Sequence, residues 1–215
     1  IYERDSKRYS VSAEAVFHGL GRSPNTSPLA LEKAGVETEK GRILCDAHMR
    51  TSTPHIFAGG DCAGPHEIVH IAIQQGEIAA HNILHPSEPR QMNYRLLISV
   101  VFTDPQAATV GLTEKMAKAQ GIQYLTSSYP FNDHGKSIIM DAMHGFVKLL
   151  CDPKSGEILG GACVGPMGSE LIHEIVTAMA KRMTVAELAT TPHYHPTLAE
   201  IWTYPAEELA ENITG

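Results

Sequence analysis

The sequence is poor in paired cysteines. Its four, Cys45, Cys62, Cys151 and Cys163, lie far apart, and no two stand at CxxC or CxxxxC spacing. Four cysteines spread over 215 residues do not make a disulfide framework, and a reducing cytoplasm is the simpler expectation. Nor can any two form a local redox pair without help from the fold. Positive charge is also short: 17 Lys and Arg stand against 24 Asp and Glu, for a formal net charge of −7. Phosphate backbones and anionic lipids need a basic patch, so neither nucleic acid nor a membrane surface is expected as a partner. No apolar run reaches the roughly 18 residues of a spanning helix, and no signal peptide opens the chain. An initiator Met is missing too, and Ile1 in its place suggests a processed or excised piece.

What is present is globular: 43% hydrophobic and 19% charged residues, enough to bury a core and too few charges for disorder. Residues 9–17 alternate small or β-branched with polar residues and read as extended. Gly19-Leu-Gly21-Arg-Ser-Pro24 breaks that run. Ser27-Pro28 is read as an N-cap and first-turn proline of a short helix that Gly35 stops. Short strands are expected at 42–46 and 55–58. Over 66–84, Ile68, Ile71, Ala72, Gln75, Ile78, Ala79 and Asn82 recur at helical steps. Two prolines and little apolar content place a linker at 85–95. Beyond it, strands are predicted at 97–103, 107–110, 122–130, 145–151 and 157–164, the last two joined as a hairpin through Asp152-Pro-Lys-Ser-Gly156. Helices are predicted from Thr113 to Gln120 and over 168–182. Thr184-x-x-Glu187 is a capping box, and Pro196 suits the first turn of a final helix.

Three motifs carry possible chemistry. The Gly19/Gly21 stretch is half of a dinucleotide fingerprint, but Pro24 replaces the third glycine and no helix follows at once, so a plain turn is preferred. His66-Glu67-Ile68-Val69-His70 is a literal HExxH, the spacing of a zinc hydrolase. It lies at a helix start, the longer zinc-hydrolase form needs Gly where Ile73 stands, and the Glu at 88 sits in the linker. A helix entrance is preferred, with zinc as an alternative. In His193-Tyr-His195-Pro-Thr-Leu-Ala-Glu200, a histidine before proline is held extended, and Glu200 five residues on can reach back to it. A carboxylate there would hold one tautomer and prepare the imidazole as a general base. Spacing alone leaves that reading level with a capping histidine and an exposed glutamate.

Taken together, the motifs resemble the pyridine nucleotide–disulfide oxidoreductases. Thr51-Ser-Thr-Pro54-His-Ile-Phe-Ala-Gly-Gly60-Asp61 looks like the family's second flavin motif, and Gly19-Leu-Gly21-Arg22-Ser-Pro24-Asn25 looks like the end of its nicotinamide domain. Phe102-Thr103-Asp104-Pro105-Gln106, Val110-Gly111, Gly145-Phe-Val-Lys148, Ile158-Leu-Gly160, Val164-Gly165-Pro166 and Glu170-Leu-Ile172 resemble its dimerisation domain. His195-Pro-Thr-Leu-Ala-Glu200 is similar to the active-site pair of one member, dihydrolipoyl dehydrogenase.

The resemblance implies an α/β tail of a nucleotide-binding region followed by an α+β dimerisation domain with a mixed or antiparallel sheet. The boundaries it implies are 1–26 for the end of an NAD(P)-binding domain, 27–92 for the C-terminal part of an FAD-binding domain and 93–215 for the dimerisation domain. Asp61, with Gly60, would meet the ribityl chain of FAD. Glu67, Ile68, Val69 and His70 would lie at the flavin ring, and Gly21 by the nicotinamide cofactor. Glu67 and Ile71 stand where the family usually has an apolar and a basic residue, and a carboxylate at Glu67 would lower the flavin potential. His195, oriented by Glu200, would deprotonate a small dithiol substrate across a homodimer. A mercury-reducing member would end in a cysteine pair, which is absent here, while glutathione reductase-like proteins remain possible. The N-terminal GxGxxG and the CxxxxC pair of the family are not in the sequence. The chain alone is therefore expected to be catalytically silent and to hold FAD weakly or not at all, or to act as a stand-alone dimerisation module.

Overall fold

The computed structural model describes residues 1–213. The chain divides into two compact units, Ile1–Met92 and Asn93–Gly215.

In the first unit, β1 (Tyr2–Arg4) and β2 (Lys7–Tyr9) form an antiparallel hairpin, with Tyr2 stacked on Tyr9 at 5.2 Å. Of the extended run expected over 9–17, only Tyr9 lies in a strand, as the last residue of β2. Residues 10–26 form no regular element, and Val16 and Phe17 are 90% and 96% exposed. Alternation gives a strand only where a neighbour supplies hydrogen bonds, and among the described residues no strand pairs with 10–17.

Ser27-Pro28 opens a 3-10 turn (Ser27–Leu29) rather than a helix. A left-handed Ala30 separates it from a second turn (Leu31–Ala34), and Gly35 closes that one in the left-handed region. β3 (Thr38–Glu39) and β4 (Arg42–Ile43) pair in a short hairpin. The strand expected at 55–58 shrinks to one bridge between Phe57 and Arg50.

The long helix α1 runs Val69–Leu84, so the expected helical start at 66 is three residues early. Ile68 is extended, and Glu67 is held before the helix by Arg22 and Arg42. The helix buries Ile71, Gln75 and Asn82. The two amides are there because each satisfies backbone that would otherwise be orphaned. Gln75 accepts from Gly60 N at 2.7 Å and donates to Gly64 O at 3.2 Å, fixing the loop that carries Asp61. Asn82 donates to His48 O and Arg90 O and accepts from Arg90 N. Residues 85–90 are thus pinned to the first unit rather than acting as a free tether.

The second unit is an antiparallel five-stranded sheet in the order β5 (Ile98–Val101), β6 (Gln106–Gly111), β9 (Ile158–Gly165), β8 (Phe146–Cys151), β7 (Leu125–Pro130). No strand pair is parallel, so the mixed-or-antiparallel expectation resolves to antiparallel. α2 (Glu114–Gln120) is capped by Thr113 and ends at a left-handed Gly121. A 3-10 turn (Phe131–Asp133) leads into α3 (Gly135–Ile139), an element not anticipated from the sequence. α4 (Gly168–Ala180) packs on β6 and β9, and α6 (Thr203–Asn212) packs on β7 and β8.

Leu171, Ile172, Ile175 and Met179 of α4 meet Val110, Val147, Leu149 and Cys163 of the sheet in one core. Gly161 permits the close approach, since a Cβ there would lie 2.9 Å from Ile175 Cγ2. α5 (Val185–Thr190) starts with the Thr184–Glu187 capping box. Pro196 does not open the last helix: the chain first makes a 3-10 turn, Ala199–Trp202, and α6 follows. That turn buries Ile201 and Trp202 completely, and Trp202 Nε1 donates to Leu171 O at 3.1 Å. The core therefore decides where Glu200 sits.

Candidate active site

Residues 191–198 form no regular element, and His195 stands on this segment with 76% of its side chain exposed. Its Nδ1 lies 2.9 Å from Glu200 Oε2 and 3.1 Å from Oε1. Glu200, on the turn buried by Ile201 and Trp202, has a side chain only 10% exposed. An ionised carboxylate can only accept, so His195 Nδ1 carries the hydrogen and Nε2 is left with its lone pair on the exposed edge.

A second histidine–carboxylate contact anchors the same segment. His193 Nε2 meets Glu174 of α4 at 2.5 Å, and His193 Nδ1 contacts Thr191 O at 2.8 Å. Tyr194 between the two histidines is 84% exposed.

Sequence reasoning missed the residue behind Glu200. His134, fully buried before α3, places Nε2 3.4 Å from Glu200 Oε1 and Nδ1 2.8 Å from Ser137 Oγ. Burial pushes its imidazole below the ordinary value, with Glu200 acting in the opposite direction. The only local signal was the His134-x-x-Ser137 spacing, which is silent about Glu200.

In the first unit, Asp61, Glu67 and their neighbours are joined by arginines. Arg22 Nη2 pairs with Asp61 Oδ2 at 3.0 Å, Arg22 Nε with Glu67 Oε2 at 3.1 Å, and Arg42 Nη2 with Glu67 Oε1 at 2.8 Å. Glu67 is thus answered by two cations, which offsets the field it was expected to exert on a flavin. Neither arginine was singled out for this role, though Arg22 lay inside the Gly-Leu-Gly-Arg motif.

The start of α1 has no side-chain cap and no acidic residue in its first turn, and Val69 there is 77% exposed. His70 Nε2 is buried without a hydrogen-bond partner. An uncapped helix start, an exposed apolar side chain and an orphaned ring nitrogen fit an aromatic group with anionic character. Gly60 and Gly21 both have positive φ, and a Cβ at Gly21 would meet nothing within 4 Å.

His66 precedes α1 and His70 lies in its first turn, so the two do not share a helical face as a zinc site requires. Among the described residues, no group of three or more His, Cys, Asp or Glu could hold a metal ion. No helix among them is long and apolar enough to cross a membrane.

The chain is 38% identical, over its whole length, to dihydrolipoyl dehydrogenase of Geobacillus stearothermophilus, and 37% identical over 99% of its length to that of Halobacterium salinarum. It spans 44% of the length of each. Among solved structures, LpdA from Mycobacterium tuberculosis superposes with a TM-score of 0.78 at 34% identity, covering 87% of this chain and 41% of that one. The HOCl-induced flavoprotein disulfide reductase RclA of Escherichia coli shares the fold, with a TM-score of 0.77 at 24% identity over 87% of this chain and 43% of its own. Residues 97–206 match the dimerisation domain of the pyridine nucleotide-disulphide oxidoreductases, and residues 3–76 match a second domain model of the same name. With the antiparallel sheet and the motifs of both units in one order, the chain belongs to the pyridine nucleotide-disulphide oxidoreductase family.

Proposed function

We propose that the chain supplies the acid–base pair and the dimer surface of an FAD- and NAD(P)-dependent disulfide oxidoreductase of the dihydrolipoyl dehydrogenase type. The observation that carries this reading is an exposed His195 whose Nδ1 is bound by the nearly buried Glu200. Nε2 of His195 takes the proton of a substrate thiol, and the thiolate so formed is the nucleophile of disulfide exchange. Glu200 stabilises the imidazolium that results and keeps the ring aimed while the proton is held. On the reverse passage Nε2 returns the proton to the leaving thiolate. His193, tied to Glu174 of α4, keeps the segment from swinging away.

Residues 93–215 form the dimerisation domain in this reading, preceded by the ends of an NAD(P)-binding region at 1–26 and of an FAD-binding region at 27–92. Val101 and Phe102, 54% and 79% exposed at the edge strand β5, suit burial by a second copy. Asp61 and Gly60 would hold the ribityl chain of FAD, Glu67 to His70 would lie by its ring system, and Gly21 would lie by the nicotinamide. FAD, when bound, supplies the two-electron acceptor that links the dithiol to the nicotinamide. Arg22 and Arg42 balance Glu67, so the negative charge favoured at the start of α1 is left for the ligand.

The test is made on the complete gene product and on this chain separately. The complete product, loaded with FAD, is expected to oxidise dihydrolipoamide with NAD or NADP. His195→Gln should lower kcat by about 10²–10⁴-fold. The 215-residue chain alone is expected to lose its flavin absorbance on gel filtration and to elute as a dimer. A flavin-loaded product inert toward dithiols, or one indifferent to His195→Gln, overturns the reading.

A further inference from the structure

Glu200 is held from two sides, and only one is explained by His195. Its Oε1 lies 3.4 Å from Nε2 of His134, a fully buried nitrogen with no hydrogen-bond partner of good geometry. We propose that His134 is a positioning residue: a neutral imidazole whose Nε2–H faces the Glu200 carboxylate and holds it in place behind His195.

The tautomer follows from hydrogen-bond accounting. A neutral imidazole has one N–H. With that hydrogen on Nδ1, the Nε2 lone pair would face a carboxylate oxygen in a buried site, which is repulsive and leaves both atoms unpaired. With it on Nε2, the N–H faces Oε1, and the Ser137 hydroxyl, 2.8 Å from Nδ1, rotates to donate to the bare nitrogen. Only the second arrangement sets a donor against an acceptor at every step of the line Ser137, His134, Glu200, His195. Burial lowers the pKa of the His134 imidazole, which keeps it in this neutral form.

The ring has little freedom to leave. It meets Phe131 edge-on at 6.4 Å and Tyr204 at 6.2 Å, and Tyr204 stacks on Tyr129 at 4.1 Å. The titratable groups around the line are Tyr204 and Glu207 of α6, Tyr129 of β7, and Asp133 of the turn before α3. Burial raises both phenols, Tyr129 to about 12, so they stay neutral where a histidine titrates.

The consequence concerns charge. A neutral donor behind Glu200 stabilises the form in which His195 and Glu200 together are anionic. Without it, the pair takes up a proton more readily, wherever that proton resides. The placement of His134 stands on geometry, while its value for turnover rests on the disulfide oxidoreductase reading.

The test uses the ¹⁵N-labelled chain. Long-range ¹H–¹⁵N imidazole spectra should show His134 neutral with its hydrogen on Nε2 over about pH 6–8. A hydrogen on Nδ1 overturns the proposal. In His134→Leu, the midpoint of the His195 ring-proton titration should move up by about one pH unit, roughly tenfold in proton affinity. His134→Gln, which restores an N–H near Nε2, should bring it back. An unmoved midpoint in a folded His134→Leu, judged by the emission of the buried Trp202, also overturns the proposal. If that variant does not fold, the tautomer in the unmodified chain decides. In the complete gene product the acid limb of kcat/KM should shift with the same sign. A product inactive on dithiols, with the spectra as expected, removes the functional reading alone. An active product with an unmoved titration removes the role of His134 alone.

Discussion

The Glu200 carboxylate lies 2.9 Å from Nδ1 of His195, and its own side chain is only 10% exposed while the histidine is 76% exposed. Burial of the anion and exposure of the ring divide the labour between them. Glu200 fixes the tautomer, and in the proposed function Nε2 is the atom that meets substrate. Glu200→Ala in the complete gene product should therefore lower kcat for dihydrolipoamide by about 10²-fold or more, at the low end of a lost acid–base contribution. KM should change little, because no group that touches bound substrate is removed. Steady-state kinetics separate the two, and a change confined to KM would mean that Glu200 shapes the pocket instead.

Burial makes three of the four thiols of the chain poor nucleophiles. Burial pushes Cys151 up to about 11 and Cys163 up to about 12, and both are fully enclosed in the core. Cys45 is raised by partial burial, with Asp46 and Cys62 adding to it. Because the thiolate is the reactive species, iodoacetamide at neutral pH should leave Cys151 and Cys163 unmodified in the folded chain. Half-buried Cys62 should react first and Cys45 slowly, and all four should react in denaturant. Peptide mass spectrometry reads the order. Fast labelling of Cys163 would place a reactive thiol in the core of the second unit, against its burial there.

How much of this was legible in the sequence depended on distance along the chain. The parts of the His195–Glu200 contact lie in six consecutive residues with a proline among them, which puts the pair within local reach; spacing alone leaves it level with a capping histidine, and the family motif decides it. The Thr184–Glu187 capping box and the stripe Leu171, Ile172, Ile175 were readable because helix geometry fixes which residues meet. His134 was not, because its partner is Glu200, brought close only when Trp202 enters the core under α4. The start of α1 was misplaced for the same kind of reason. Glu67 is held before the helix by Arg22 and Arg42, and no window around residue 67 contains them. Residues 10–17 failed in the other direction, since a good local alternation found no strand to join beyond Tyr9.

The capping box makes a signed prediction about pH. Glu187 accepts from Thr184 N at 2.7 Å and from Thr184 Oγ1 at 2.9 Å, and these bonds hold its carboxyl below the usual range. A carboxyl depressed in the folded state adds stability above its unfolded pKa of about 4.3, and that stability is lost as pH falls through the folded value. Glu187→Gln should thus narrow the gap from the unmodified chain as the pH drops below about 4. Thr184→Ala should cost about 1 kcal/mol at neutral pH through loss of the cap to Glu187 N. Urea titrations across pH measure both. A constant Glu187→Gln difference down to low pH would mean that the carboxylate is not bound as described.

Gly145 offers the sharpest test of the sheet on which the site rests. It has φ +108°, and a Cβ built there would fall 1.7 Å from the carbonyl oxygen of Val164 on β9. Val164 pairs with Phe146 on one side and Ala107 on the other, so β9 cannot retreat without opening two ladders. Gly145 O also accepts from Phe131 N, the residue that packs edge-on against His134. Gly145→Ala should therefore cost more than about 3 kcal/mol, the sum of backbone strain and a displaced central strand. Gly121 supplies the control: its φ is +67°, but a Cβ there meets nothing within 4 Å. Gly121→Ala should cost only about 1 kcal/mol, for the left-handed backbone alone. Denaturant unfolding followed by Trp202 emission compares the two under one condition. Equal losses would show that β8 and β9 do not approach as closely at Gly145 as the geometry requires, and the support it gives to Phe131 and His134 would fall with it.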